Sequence, residues 1–169
     1  MKAVVVYESH WGNTAEVARA IASGLGPETP VLGTDEAVGS VLADADLIVA
    51  GAPVIALRLE TESMRERIEK DAADAPHEPD VTRPTMRGWL ARLPEGRGHA
   101  AAFETRLRWS PGGATGAIER GLEKAGYRRV AKGRKFFVTG RYGPLRDGEL
   151  EAARAWGSEL AHELEATTT

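Results

Sequence analysis

The sequence contains no cysteine. Disulfide frameworks, thiolate metal sites and catalytic or redox thiols are thereby excluded, and any redox chemistry has to come from a bound group. Long apolar runs are missing as well. The longest uncharged stretch, Leu47 to Leu57, is interrupted by Gly51 and Pro53 and falls far short of the roughly 20 residues that span a bilayer. Met1 and Lys2 lead directly into Ala3-Val4-Val5-Val6-Tyr7, of strand length and without the longer apolar segment and small-residue cleavage site of a secretory leader. Together these absences predict a soluble, cytoplasmic protein with no membrane partner. The two commonest nucleotide motifs, G-x-x-x-x-G-K-S/T and G-x-G-x-x-G after the first apolar run, do not occur. Internal repeats and low-complexity tracts are absent too.

What is present is an ordinary globular composition: 42% hydrophobic and 28% charged residues over 169 positions. At roughly 150 residues per domain this length predicts a single domain. The net charge is only −3, but it is unevenly spread: residues 81–146 hold 15 Lys/Arg against 4 Asp/Glu. Those charges are scattered among Gly and Pro with no nucleic-acid-binding motif, so they read as a solvated basic face and no nucleic acid is expected as partner.

Short apolar runs alternate with helical patterns, the signature of βαβ units and a parallel sheet covered on both faces. The predicted strands are Ala3–Tyr7, Val31–Leu32 with their neighbours, Asp46–Gly51, Ala100–Glu104 and Phe136–Thr139. Helices are predicted from Thr14 to Gly24, where Val17, Ile21 and Leu25 repeat at helical spacing, and over Asp35–Ala43 and Thr61–Ala72. Another starts near Thr115 with Gly126 just past its end, and the last runs from an Asp147 cap through Leu150, Trp156 and Leu164 to a frayed Thr167-Thr168-Thr169. Residues 73–98, with Pro76, Pro79, Pro84 and Pro94, exceed an ordinary connection. Met86, Trp89, Leu90 and Leu93 predict a short amphipathic helix there, either a cover for the core or a lid or partner surface.

One segment carries chemistry. The first strand runs through Tyr7-Glu8 into Ser9-His10-Trp11-Gly12-Asn13-Thr14 and straight into an amphipathic helix. Such a loop lays backbone N–H groups around one point at a helix N-terminus, where the macrodipole favours an anion. Ser9 and Thr14 add hydroxyl donors, and Gly12 removes a Cβ; the loop itself has no Lys or Arg.

Ser9-x-x-Gly12-Asn13-Thr14 resembles the FMN phosphate loop of flavodoxins, S/T-x-S/T-G-x-T, with Trp11 in the place of the second hydroxyl residue. The loop is also similar to that of the flavin domains of flavodiiron proteins. Asp46 to Pro53 looks like the third strand and second flavin loop, and Phe103-Glu104-Thr105-Arg106 with Trp109-Ser110-Pro111-Gly112-Gly113 like the fourth strand and third loop. Gly143-Pro144-Leu145 through Ala155-Trp156-Gly157 is similar to the approach to the C-terminal helix.

The resemblance implies an α/β, three-layer, doubly wound, five-stranded parallel sheet of order 2-1-3-4-5, with FMN at the carboxyl ends of its strands. Ser9, His10, Trp11, Gly12, Asn13 and Thr14 would hold the phosphate; Pro53, Val54, Ile55 and Ala56 on one side and Thr105, Arg106, Trp109 and Gly112 on the other would flank the flavin ring. His10 is expected to be exposed, and Trp11 and Trp109 are candidates for stacking on the flavin. Arg106 and Arg108 are read as attracting an anionic substrate or a dinucleotide phosphate, or else as surface charges. The function implied is electron transfer or flavin-dependent reduction, with a redox protein or NAD(P)H as partner; a flavin-free interaction module of the same fold is the alternative. Val54-Ile55-Ala56-Leu57 lacks the glycine whose peptide can flip toward the flavin, which predicts two-electron chemistry. No general acid or base, and no metal site, stands out. A phosphoacceptor receiver domain is set aside, because Tyr7-Glu8-Ser9 lacks paired acidic residues.

Overall fold

The computed structural model describes residues 1–168. Four strands fill the first four positions of one parallel sheet: β1 (Ala3–Tyr7), the short edge strand β2 (Val31–Gly33), β3 (Leu47–Ile55) and β5 (His99–Leu107). β1 pairs with β2 through Val5↔Val31 and with β3 through Val4↔Ile48; β3 pairs with β5 through Val49↔Ala101. The fifth position is shared by β6 (Arg128–Arg129) and β7 (Arg134–Val138), both parallel to β5, one at each end of it. The expected order 2-1-3-4-5 therefore holds, with its last strand broken in two. A two-residue β4 (Arg58–Leu59) folds back antiparallel on the end of β3, bringing the sheet to seven pieces where five were expected.

Strand periodicity explains the three layers. Successive side chains point to opposite faces, so Ala3 and Val5 pack with Leu47 and Val49 on one face, under α1 (Asn13–Leu25) and α6 (Glu149–Thr168). Val4 and Val6 join Ile48 and Ala50 on the other face, beneath α4 (Met86–Ala91) and α5 (Thr115–Lys124). Every strand residue named in these two sets is buried, as sequence runs apolar at both parities require.

Several boundaries differ from expectation for local reasons. The helix expected over Asp35–Ala43 shrinks to α2 (Ser40–Ala43), because Gly39 adopts φ 58, ψ −128, outside the helical region. In the third helix Thr61 is the cap, its hydroxyl accepting the Met64 N–H, and α3 covers Glu62–Lys70. The last helix begins at Glu149 rather than at an Asp147 cap, since Gly148 stands at φ 86. It continues regularly through Thr167 and Thr168 instead of fraying, and Thr169 lies outside the described residues. The amphipathic helix after Pro84 forms as α4, capped by Thr85 accepting the Gly88 N–H at 3.0 Å. Its Met86 and Trp89 are buried, and the Trp89 indole N–H donates to the Ala37 carbonyl at 2.8 Å, so this part of the insertion covers core. No helix among the described residues is long and apolar enough to cross a membrane.

Candidate functional site

The chain leaves β1 toward β2 on one side and reaches β3 on the other, and such a reversal opens a crevice at the carboxyl ends of the strands. A cleft of about 390 Å³ lies there. Its first wall is the loop after β1. Gly12, at φ 94, takes the left-handed conformation that a Cβ would strain and immediately precedes α1, which has no side-chain cap. The Gly12 N–H donates to Ser9 Oγ at 3.1 Å, closing the loop on itself. The first-turn N–H groups of α1 are thus left for another acceptor. Asn13 Nδ2 donates to the Tyr142 carbonyl at 3.1 Å, and the Thr14 and Thr105 hydroxyls lie 2.7 Å apart. These bonds fasten the helix start to β5 and to the loop after β7, while Ser9, Asn13 and Thr14 still border the cleft.

Trp11 lines the cleft with its ring held edge-on between His10 and Tyr142, at centroid distances of 5.6 and 4.9 Å. Its indole Nε1–H is buried and has no partner among the described residues. A buried donor of this kind costs about 1–3 kcal/mol when unmet. It fits a ligand acceptor in the cleft, in the position where the resemblance placed a hydroxyl donor.

The second wall is the end of β3. Pro53, Val54 and Ile55 remain in the strand, and the chain reverses through Ala56 and Leu57 at φ 43 and φ 75 to pair Val54 with Leu59 and Ile55 with Arg58. Two-residue hairpins with both centres left-handed normally use Asn-Gly. Ala and Leu there cost roughly 1–2 kcal/mol each. Left-handed backbone thus does occur in this loop, one step beyond the β-branched pair. Gly112, at φ 79, lets the third loop approach: a Cβ there would sit 2.0 Å from the Leu57 carbonyl oxygen, which accepts the Gly113 N–H at 3.0 Å. Gly112 therefore braces the hairpin from behind, and it, Gly12 and Trp109 do not line the cleft. Trp109 is 80% exposed.

Arg106 lines the cleft but is buried, and two of its guanidinium nitrogens bond the protein. Nη1 donates to Glu104 at 3.0 Å and to the Gly112 carbonyl at 2.7 Å, and Nε to the Leu107 carbonyl. Glu104 in turn accepts the Ala114 and Thr115 N–H groups and the Thr115 hydroxyl, ordering the start of α5. Through Nη1 and Nε, Arg106 is a strut of the third loop; Arg108 is exposed.

The largest departure is His10. Expected to be exposed, it is 2% exposed, with the backbone of Asp80 packed against it. Its backbone carbonyl accepts the Asp80 N–H at 3.1 Å, its Nδ1 lies 2.9 Å from the Asp80 carbonyl oxygen, and its Nε2 lies 3.1 Å from Glu60 Oε2. A carbonyl and a carboxylate only accept, so this geometry calls for hydrogen on both ring nitrogens, an imidazolium. Burial works against that charge, but the hydrogen bond and charge of Glu60 outweigh it and hold the His10 pKa above its ordinary value.

Around His10 stand two carboxyls and one arginine. Arg65 Nη2 donates to Glu8 Oε2 and Glu60 Oε2, both at 3.1 Å, and Glu8 Oε2 also accepts the Met86 N–H at 2.9 Å. Arg65 Nη1 bonds the carbonyls of Val81 and Arg83. Oε1 of both glutamates and Nε of Arg65 are buried without partners among the described residues. Burial first, then the neighbouring Glu60 charge, push Glu8 up to about 8. Glu60 is held below the ordinary carboxylate range: burial opposes this, but His10 and Arg65 prevail. One atom each of Glu8, His10 and Glu60 lie within 4.8 Å of one another, a metal-ligand spacing. Yet the Arg65 nitrogen already bridges the two carboxylates, so the cation position is taken by the protein itself. This cluster escaped the sequence reading because its members are distant in the chain. The signal available was that Glu8 directly follows the apolar run Ala3–Tyr7; Glu60, behind the exposed residues 56–58 and the single buried Leu59, gave none.

No protein-family model matches the chain, and no curated protein matches it. Solved structures do. An archaeal flavodoxin superposes with a TM-score of 0.65 at 22% identity, covering 98% of this chain and 99% of that one. Flavodoxin 1 of Bacillus cereus gives 0.62 at 19%, covering 98% of both chains. Rubredoxin oxygen:oxidoreductase of Desulfovibrio gigas gives 0.61 at 16%, with 99% of this chain on 37% of that one. The doubly wound sheet with its switch-point cleft thus belongs to a known class of α/β architecture. The chain has the flavodoxin-like fold.

Proposed function

We propose that residues 1–169 form a single domain that binds FMN in the switch-point cleft and serves electron transfer or flavin-dependent reduction. The observation that carries this is the buried, unpartnered Trp11 Nε1–H beside an uncapped α1, two unmet sets of donors on one cleft wall. Ser9, Asn13, Thr14 and the loop backbone would surround the phosphate, with Trp11 supplying a side-chain donor. Pro53 to Ala56 and Thr105 would contact the ring, and Arg106 would hold the third loop in place. Bound flavin supplies hydride or electron transfer; the chain's own part is to bind, orient and exclude water. A redox protein or NAD(P)H would be the partner, and the fixed left-handed Ala56–Leu57 turn, having no glycine to flip, supports two-electron exchange.

The test is a visible spectrum of freshly purified protein, then titration with FMN and riboflavin followed by flavin fluorescence. FMN is expected to bind more tightly than riboflavin. Trp11→Phe should weaken FMN about tenfold, the equivalent of one lost hydrogen bond, and leave riboflavin unchanged. A protein indifferent to both flavins overturns the reading.

A further inference from the structure

The loop has no Lys or Arg, yet it is not uncharged: His10 belongs to it, borders the cleft and is bonded through both ring nitrogens to acceptors. Directly behind it lie Glu60, Arg65 and Glu8. With His10 and Arg65 positive and Glu60 negative, the charge of the group depends on Glu8. Two carboxyls sharing one buried arginine cannot both ionise cheaply, and the orphaned Oε1 atoms show that neither is fully solvated by protein donors.

We propose that Glu8 and His10 determine the selectivity of the loop for a phosphorylated flavin: while Glu8 keeps its proton the buried group carries one net positive charge, and when Glu8 ionises that charge is cancelled. FMN binding is then linked to proton uptake, and riboflavin binding is not. This rests on the FMN reading above. The charge is buried, so it acts on a nearby phosphate with little screening, and by reciprocity the phosphate strengthens the hold of Glu8 on its proton.

Other charges around the cluster do not duplicate this one. Asp80 offers His10 only its backbone, and its carboxylate accepts from Thr82. Arg83 is turned to Tyr7, Asp35, Glu36 and Asp80. Glu62 on α3 accepts from Thr85, Arg87 of α4 donates to the Leu59 carbonyl, and α4 otherwise presents the Met86 N–H.

Burial and Glu60 place the ionisation of Glu8 near pH 8, above the second ionisation of a phosphate monoester at about 6. The experiment is calorimetric titration of the wild-type protein with FMN and with riboflavin between pH 7 and 9.5, in two buffers of different ionisation enthalpy, repeated with Glu8→Gln. The FMN dissociation constant should rise about tenfold across this range, one pKa unit of linkage, with net proton uptake near pH 8. The riboflavin constant should move less than about twofold, and it carries the flavin ring's own ionisation, which both ligands share. Glu8→Gln mimics the protonated acid and should bind FMN with less proton uptake and a shallower pH slope than the wild type, the remainder being the charge that His10 loses; His10→Gln should lose FMN affinity at pH 7 and spare riboflavin. Wild-type FMN binding that is flat with pH, or a slope undiminished in Glu8→Gln, overturns this inference alone. Absence of FMN binding at pH 7 overturns the FMN reading together with it.

Discussion

Two buried carboxylate–arginine groups stand on opposite walls of the same cleft, and they are built differently. On the β5 side Glu104 meets one arginine and three donors from the start of α5, and its partner Arg106 also donates to the carbonyls of Gly112 and Leu107. On the β1 side two glutamates share Arg65, one of them also meeting His10, and three polar atoms are left over. The first is a strut. The second holds more acid than its donors satisfy, which is how a protein keeps a proton where a carboxylate would ordinarily lose it. Similar side chains thus give rigidity on one wall and titration on the other, decided by the count of donors.

Breaking the strut has the largest expected effect. Glu104→Ala strands the Arg106 charge and three donors in the interior, and should cost about 3–5 kcal/mol in urea denaturation. The titrating wall responds to pH instead. Because Glu8 is raised from 4.5 to about 8 in the folded state, its contribution is fully present below pH 4.5 and is lost as pH rises to about 8. Glu8→Gln should therefore flatten the fall in stability over this window and raise the melting temperature at pH 8.5 by several degrees, since about 1 kcal/mol corresponds to roughly 2–4 °C at this size.

His10 adds to the same trend. Its raised pKa gives stability that is present below pH 6.5 and lost as pH climbs through its folded value. His10→Gln should then destabilise by about 1–2 kcal/mol at pH 6 and by less at pH 9. Arg83 is the mild contrast: its carboxylate partners Asp35, Glu36 and Asp80 are about half exposed. Arg83→Met should change stability by no more than about 1 kcal/mol, and that small effect should shrink further in added salt.

What could be read from the sequence was what is local. The Val4–Val6 run, the Ser9 to Thr14 loop and the Val17, Ile21, Leu25 stripe are contiguous, and their periodicities fixed the first βαβ unit and the place of the cleft. The broken fifth strand was not legible, because two arginines at 128–129 carry no apolar signal. His10 was misread because a polar loop residue is ordinarily solvated; what buries it is Asp80, seventy positions away. The bonds of Arg106 were not legible for a similar reason, since they depend on Glu104 and on the Gly112 carbonyl, neither visible as a pattern around it.

The hairpin tip at Ala56–Leu57 bears on engineering. Replacing the pair by Asn-Gly would relieve left-handed strain at both centres and should stabilise the fold. The same exchange would delete the Leu57 side chain, which projects half-exposed from the rim beside the cleft. A stability screen would select this change early, and flavin or partner affinity is the property to monitor as it does so. On the proposed flavin role, the tip is where thermal robustness and recognition draw on the same two residues, and improving one should be expected to cost the other.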